Sequence, residues 1–124
     1  MRVPVTLAVA TLAVLALTTA VYAVDMYTPP LFAEGSDFIE CKIANVSAAK
    51  HTVQIQLIDQ LGAVLKDSGP ISLPAGLIAH ANLEAPGFAI CKFIVGATTT
   101  SVRASGSVFL GSGDFSDVTF VAAQ

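Results

Sequence analysis

The stretch GFAICKFIVG, residues 87–96, decides how this chain is read. Ala89, Cys91, Phe93 and Val95 fall on one side of an alternating run, and Phe88, Ile90, Lys92 and Ile94 on the other. A period of two, rich in β-branched and aromatic residues, marks a strand, because successive side chains leave a pleated backbone on opposite faces. Cys91 is one of only two cysteines. The other, Cys41, stands in EGSDFIECKIANVS, residues 34–47, where Ile39, Cys41 and Ile43 share one face against Glu40 and Lys42. A redox pair is expected as C-x-x-C with one thiol activated beside the other. These two lie far apart, each inside an apolar strand pattern, so the expectation is a structural disulfide.

A disulfide needs an oxidising compartment, and the N-terminus points to one. Residues 1–25 read MRVPVTLAVATLAVLALTTAVYAVD, with Arg2 the only charge before Asp25. A positive start, an apolar middle and the small-residue pattern Val21-Tyr22-Ala23 form a cleavable secretory signal over residues 1–23. The competing reading is an uncleaved anchor, since the apolar span approaches the ~20 residues of a membrane helix. Several threonines interrupt it and a cleavage pattern closes it, which favours removal. After cleavage the chain is expected in the periplasm or outside the cell, with no membrane contact. Five cations, Lys42, Lys50, Lys66, Lys92 and Arg103, then face nine carboxylates, a net charge of −4 with no run of either sign. Nucleic acid and anionic lipid are poor partners for such a surface.

Residues 24–36 (VDMYTPPLFAEGS) contain Pro29-Pro30, which cannot donate to a ladder, and read as an extended arm or a first edge strand. From 37 to 124 alternation takes over. Val53, Ile55 and Leu57 oppose Gln54 and Gln56; Leu77, Ala79, Ala81 and Leu83 oppose His80, Asn82 and Glu84; Val102, Ala104, Gly106, Val108 and Leu110 share a face. Turn signals at Asp59–Gly62, Ser68–Pro70, Leu73–Gly76, Ala85–Gly87 and Gly111–Gly113 cut this into seven or eight short strands. The spacing predicts an all-β, antiparallel, immunoglobulin-like sandwich with one disulfide joining the second and sixth strands. No Trp exists to pack on that bridge, and Ala89 stands where an immunoglobulin domain has its corner Tyr.

The runs CKIANVS, VQIQLIDQLGAVL, LPAG, CKFIVG and SVRAS resemble small exported bacterial proteins of unassigned function with an immunoglobulin-like or fibronectin-III-like sandwich. The resemblance spans residues 37–121. It implies a fold and an exported location, and it carries no catalytic residue over.

The chemistry-bearing residues are sparse. A nucleophile needs a positioned base, yet the two histidines, His51 and His80, fall at a strand start and on a wet face, and no G-x-S-x-G elbow occurs. Bridged cysteines leave no thiolate for copper, and no clustered Cys and His suggest zinc. Asp114 and Asp117 in GSGDFSD lack the acidic density of a calcium loop. Asn45-Val46-Ser47 matches the glycosylation sequon and reads as a chance match. The expectation is no catalytic residue, no cofactor and no metal. One feature stands out: if Cys91 faces inward, Phe88, Ile90 and Ile94 face outward, with Phe109 beside them if its strand pairs with theirs. Such a patch marks a partner surface unless another strand or the arm covers it. The sequence therefore points to a non-catalytic exported binding or structural module with an unidentified protein or envelope partner. Other readings are a surface-assembly subunit that exchanges strands through the arm or VTFVAAQ, and, behind it, a secreted hydrolase or metal carrier.

Overall fold

The computed structural model describes residues 23–96, 99–111 and 119–123. Residues 1–22, on which the signal reading rests, and the GSGDFSD stretch from Ser112 onward lie outside the described residues. Ten strand segments and one 3-10 turn (Thr99–Ser101) account for the regular structure within them. In chain order the strands are β1 (Val24–Tyr27), β2 (Leu31–Ala33), β3 (Phe38–Asn45), β4 (His51–Ile58) and β5 (Val64–Asp67). There follow β6 (Ile71–Leu73), β7 (Ile78–Glu84), β8 (Gly87–Val95), β9 (Val102–Phe109) and β10 (Thr119–Ala122).

Two of these divisions have a visible cause in the sequence. β1 and β2 both pair antiparallel with β8, Val24 opposite Val95 and Leu31 opposite Ala89, and the gap between them is Thr28 with Pro29-Pro30. Thr28 keeps the ladder continuous: its N–H donates to the Cys91 carbonyl, and its Oγ1 accepts from the Cys91 N–H, both at 3.0 Å. The proline-containing segment is thus an edge strand rather than a loose arm. Likewise β5 and β6 both pair with β4 and are separated by Gly69-Pro70. Counted as lines across a sheet, the strands number eight.

They form two antiparallel sheets. One runs β1/β2–β8–β4–β5/β6, the other β10–β9–β3–β7. Each inner face is apolar because each strand alternates: Ile39, Cys41 and Ile43 of β3, Val53, Ile55 and Leu57 of β4, and Ala89, Cys91, Phe93 and Val95 of β8 are all fully buried. Fully burying a side chain of the Val, Leu, Ile or Phe class contributes about 1.5–3 kcal/mol relative to exposure. The Cys41–Cys91 disulfide crosses the middle, with Cα atoms 5.7 Å apart. Packed sheets ordinarily stand ~10 Å apart, so the strands approach closely here, and the cross-strand neighbours of Cys41 are small while Leu57 stands opposite Cys91. Cys41 has Ala81 on one side and Gly106 on the other. A Cβ added to Gly106 would sit 2.6 Å from Leu31 Cδ1 and 3.0 Å from Cys91 Sγ. A Trp beside this bridge would have no room.

By the line count, β3 is second and β8 sixth, as expected for the bridge. β3 pairs with β7 and β4 with β8, the pairs that flank an immunoglobulin bridge. The outer lines follow their own course. After β8 the chain crosses between sheets through the 3-10 turn, and β9 pairs with β3 instead of β8. The Val46 N–H donates to the Ser101 carbonyl at that crossing.

Replacing both Cys41 and Cys91 by Ala should cost ~4 kcal/mol, the chain-entropy value for a loop of about 50 residues, read as a lower urea midpoint with the sandwich retained in far-UV circular dichroism. Gly106→Ala should cost about 1–3 kcal/mol by overpacking, whereas Gly76→Ala, in an open turn at φ 76°, should act only through its backbone strain.

Candidate functional site

The outer face of the first sheet carries a contiguous row of exposed apolar side chains; on the second sheet Ile78 of β7 is exposed as well. Phe88 lies opposite Phe32 of β2, ring centroids 4.7 Å apart, and the two are 51% and 45% exposed. Along the same face Ile90 lies opposite Ile58, which lies opposite Val64 of β5; Val64 is exposed and the two isoleucines half-buried. The patch thus crosses all four lines of that sheet. Farther along β8 it turns polar: Lys92 lies between Tyr27 and Gln56, its ammonium 5.8 Å from the Tyr27 ring and 3.8 Å from Asp25. Ile94, half-buried, sits between Asp25 and Gln54.

This corrects one expectation. Phe109 does not join Phe88, Ile90 and Ile94, because β9 belongs to the opposite sheet and its outer face points the other way. There Phe109 stacks on Phe38 at 5.0 Å, with the Lys42 ammonium 5.8 Å from its ring and 2.9 Å from Glu40. The arm does not cover the patch either; β2 lies edge-on to β8 and enlarges it with Phe32. Alternation in the sequence marks Phe32 only weakly, since two prolines precede it and its strand is three residues long. Ile58 and Val64 become part of the surface only through cross-strand register.

The other polar features have structural work. Asn45 is almost fully buried, and its Nδ2 donates to the Ala49 carbonyl at 2.7 Å and the Leu73 carbonyl at 3.0 Å. Its Oδ1 accepts from the Ser47 N–H and Oγ, closing the β3–β4 turn. The sequon nitrogen is therefore fully engaged. His51, expected on a wet strand start, is half-buried with Nε2 2.9 Å from Ser47 Oγ. That Ser–His contact belongs to the turn: the hydroxyl also lies within hydrogen-bond distance of Asn45 Oδ1 and the Ala49 carbonyl, and no acid is bonded to the ring among the described residues. His80 is exposed on β7. Asp67 accepts from Gln54 Nε2, the Gly69 N–H and Gln56 Nε2, which together hold its carboxyl below the ordinary range.

Two open depressions of about 320 and 240 Å³ lie on the second sheet, lined by Ser36, Phe38, Asn82 and Glu84, and by Lys42, Ala44, Ile78, Arg103, Ala104 and Ser105. Neither is the enclosed apolar cleft that usually holds a small substrate. Among the described residues no three His, Cys, Asp or Glu side chains gather as a metal site, and no helix is long and apolar enough to cross a membrane. The candidate calcium residues Asp114 and Asp117 lie outside the described residues. Compared with protein-family models, curated proteins and solved structures, the chain gives no match.

Asn45→Ala should destabilise by about 1–3 kcal/mol, since it leaves the Leu73 carbonyl without its donor while the Ala49 carbonyl keeps the Ser47 hydroxyl; a urea titration reads this, and an unchanged midpoint contradicts the network. The Asp67 contacts favour the charged carboxyl, so their contribution is present above its unfolded value of ~3.9 and disappears as pH falls through the depressed folded value. The Gln54 and Gln56 side-chain amide signals should therefore shift together in an NMR titration, with an inflection below ~3.9.

Proposed function

We propose that this chain is an exported, non-catalytic β-sandwich module of immunoglobulin-like type, which binds a protein partner through the outer face of its first sheet. The observation that carries the reading is the exposed Phe32–Phe88 pair and its continuation through Ile90, Ile58 and Val64 across four strand lines. Contiguous exposed apolar surface with a polar rim is characteristic of protein-binding faces; here Lys92, Asp25 and Gln56 supply the rim. Export is supported by the signal-type residues 1–23 together with the Cys41–Cys91 disulfide. The β3–β7 and β4–β8 pairs with their bridge support the immunoglobulin-like assignment, while the pairing of β9 with β3 makes it a variant.

Strand donation to a neighbouring subunit fits less well. β1 and β2 occupy the edge of the chain's own sheet, and Thr28 ties them to Cys91 by two hydrogen bonds.

Affinity capture from the source envelope with three baits tests the reading: the wild type, Phe32→Ser/Phe88→Ser, and Ile78→Ser on the other sheet. A partner held by the wild type and the Ile78 variant but lost with the double variant is the expected result. Equal capture by all three, or turnover of any substrate class by the purified protein, overturns it.

A further inference from the structure

A two-sheet sandwich has four open edges, and three of these are visibly blunted. The β1/β2 edge is broken by Pro29-Pro30. The β5/β6 edge is broken by Gly69-Pro70 and shifted in register between Leu57 and Ile58. β10 is four residues long. The fourth edge, β7, runs seven residues without Pro or Gly. Its register on β3 tells which groups are unpaired. The Asn45 N–H donates to the Leu77 carbonyl and the Ala85 N–H to the Asp37 carbonyl, so the odd-numbered residues face β3. In antiparallel pairing the alternate residues face the other way. Ile78, His80, Asn82 and Glu84 therefore turn their backbone groups to the open edge, with exposed side chains on the outer face.

One group occupies that edge. Lys66 lies opposite Leu57, so its side chain leaves β5 on the inward side and reaches across the gap between the sheets. Its ammonium donates to the Asn82 carbonyl at 2.6 Å, midway among the edge groups, and no carboxylate lies within ion-pair distance of it among the described residues. An inward-pointing Lys at a sheet margin is a recognised obstacle to edge pairing.

We propose that the β7 edge is a strand-addition surface for a second copy of this chain, held shut by Lys66. The occupant follows from side-chain complementarity, an imidazole N–H set against a carboxylate. Antiparallel pairing of two β7 strands about Asn82 sets His80 of each copy opposite Glu84 of the other, with their side chains on one face. All of these residues turn their N–H and C=O groups outward, so the register is a hydrogen-bonded one. The same symmetry brings both Lys66 ammonium groups to the axis, where like charges repel and both Asn82 carbonyls are already engaged. The wild type is thus a monomer, and removing Lys66 joins two four-stranded sheets into one of eight.

Analytical ultracentrifugation and amide exchange of the mature protein test this. Lys66 is exposed, so Lys66→Ala should keep the wild-type melting curve and form a concentration-dependent dimer in which the His80, Asn82 and Glu84 amides gain protection. Lys66→Arg should stay monomeric. Adding Glu84→Lys to Lys66→Ala should weaken the dimer by about tenfold or more, the scale of two favourable cross-strand pairs lost. A folded Lys66→Ala that remains monomeric overturns the proposal, as does a dimer that leaves those three amides unprotected or ignores Glu84→Lys. A wild type that already dimerises through β7 overturns the role of Lys66.

Discussion

The Cys41–Cys91 bridge holds two Cα atoms 5.7 Å apart across a gap that packed sheets ordinarily keep near 10 Å. The neighbours of Cys41 are small at that separation. Ala81 and Gly106 flank Cys41, Ala79 and Ala104 lie two residues farther along the same face, and Ala89 precedes Cys91 on its strand. The bulk lies in Leu57, directly opposite Cys91, and in Phe93, Ile39, Ile43 and Ile55 farther along the faces. A domain of this size buries a modest fraction of its surface, and a covalent tie through its thinnest point compensates for the apolar volume that small residues forgo there. The absence of Trp follows from the same closeness: the bridge is covered by Leu31 and Thr28 over a bare glycine.

Because the bridge faces β3 and β8 toward each other, their outer faces point in opposite directions, and this divides the surface chemistry. The first sheet displays Phe32, Phe88 and the Ile90–Ile58–Val64 row. The second displays the stacked Phe38–Phe109 pair under Lys42, together with Glu40 and the exposed Ile78, His80, Asn82 and Glu84 of β7.

The buried Asn45 works on the chain itself. Asn45, Ser47 and His51 form one hydrogen-bonded turn that joins β3 to β4 across the sandwich, and the Leu73 carbonyl from β6 joins in. A matching sequon and a Ser–His contact each suggest chemistry when read singly. Their shared hydrogen bonds account for both, because a buried amide must satisfy its donors before it can serve any other purpose.

Much of the fold was legible residue by residue, because alternation is a local property. Ile39, Cys41 and Ile43, Val53, Ile55 and Leu57, and Ala89, Cys91, Phe93 and Val95 could be assigned to the core from period alone, and cysteine spacing suggested the staple. The breaks at Pro29-Pro30 and Gly69-Pro70 were equally readable, since proline cannot donate to a ladder. Pairing was not. Nothing in SVRASGSVF says that β9 lies beside β3 rather than β8, so the sequence leaves open which sheet displays Phe109, and it does not join Phe32, Ile58 and Val64 to Phe88. Which way a side chain points depends on its own backbone; which residue it meets depends on register between strands far apart in the chain, and only the assembled sheets decide that.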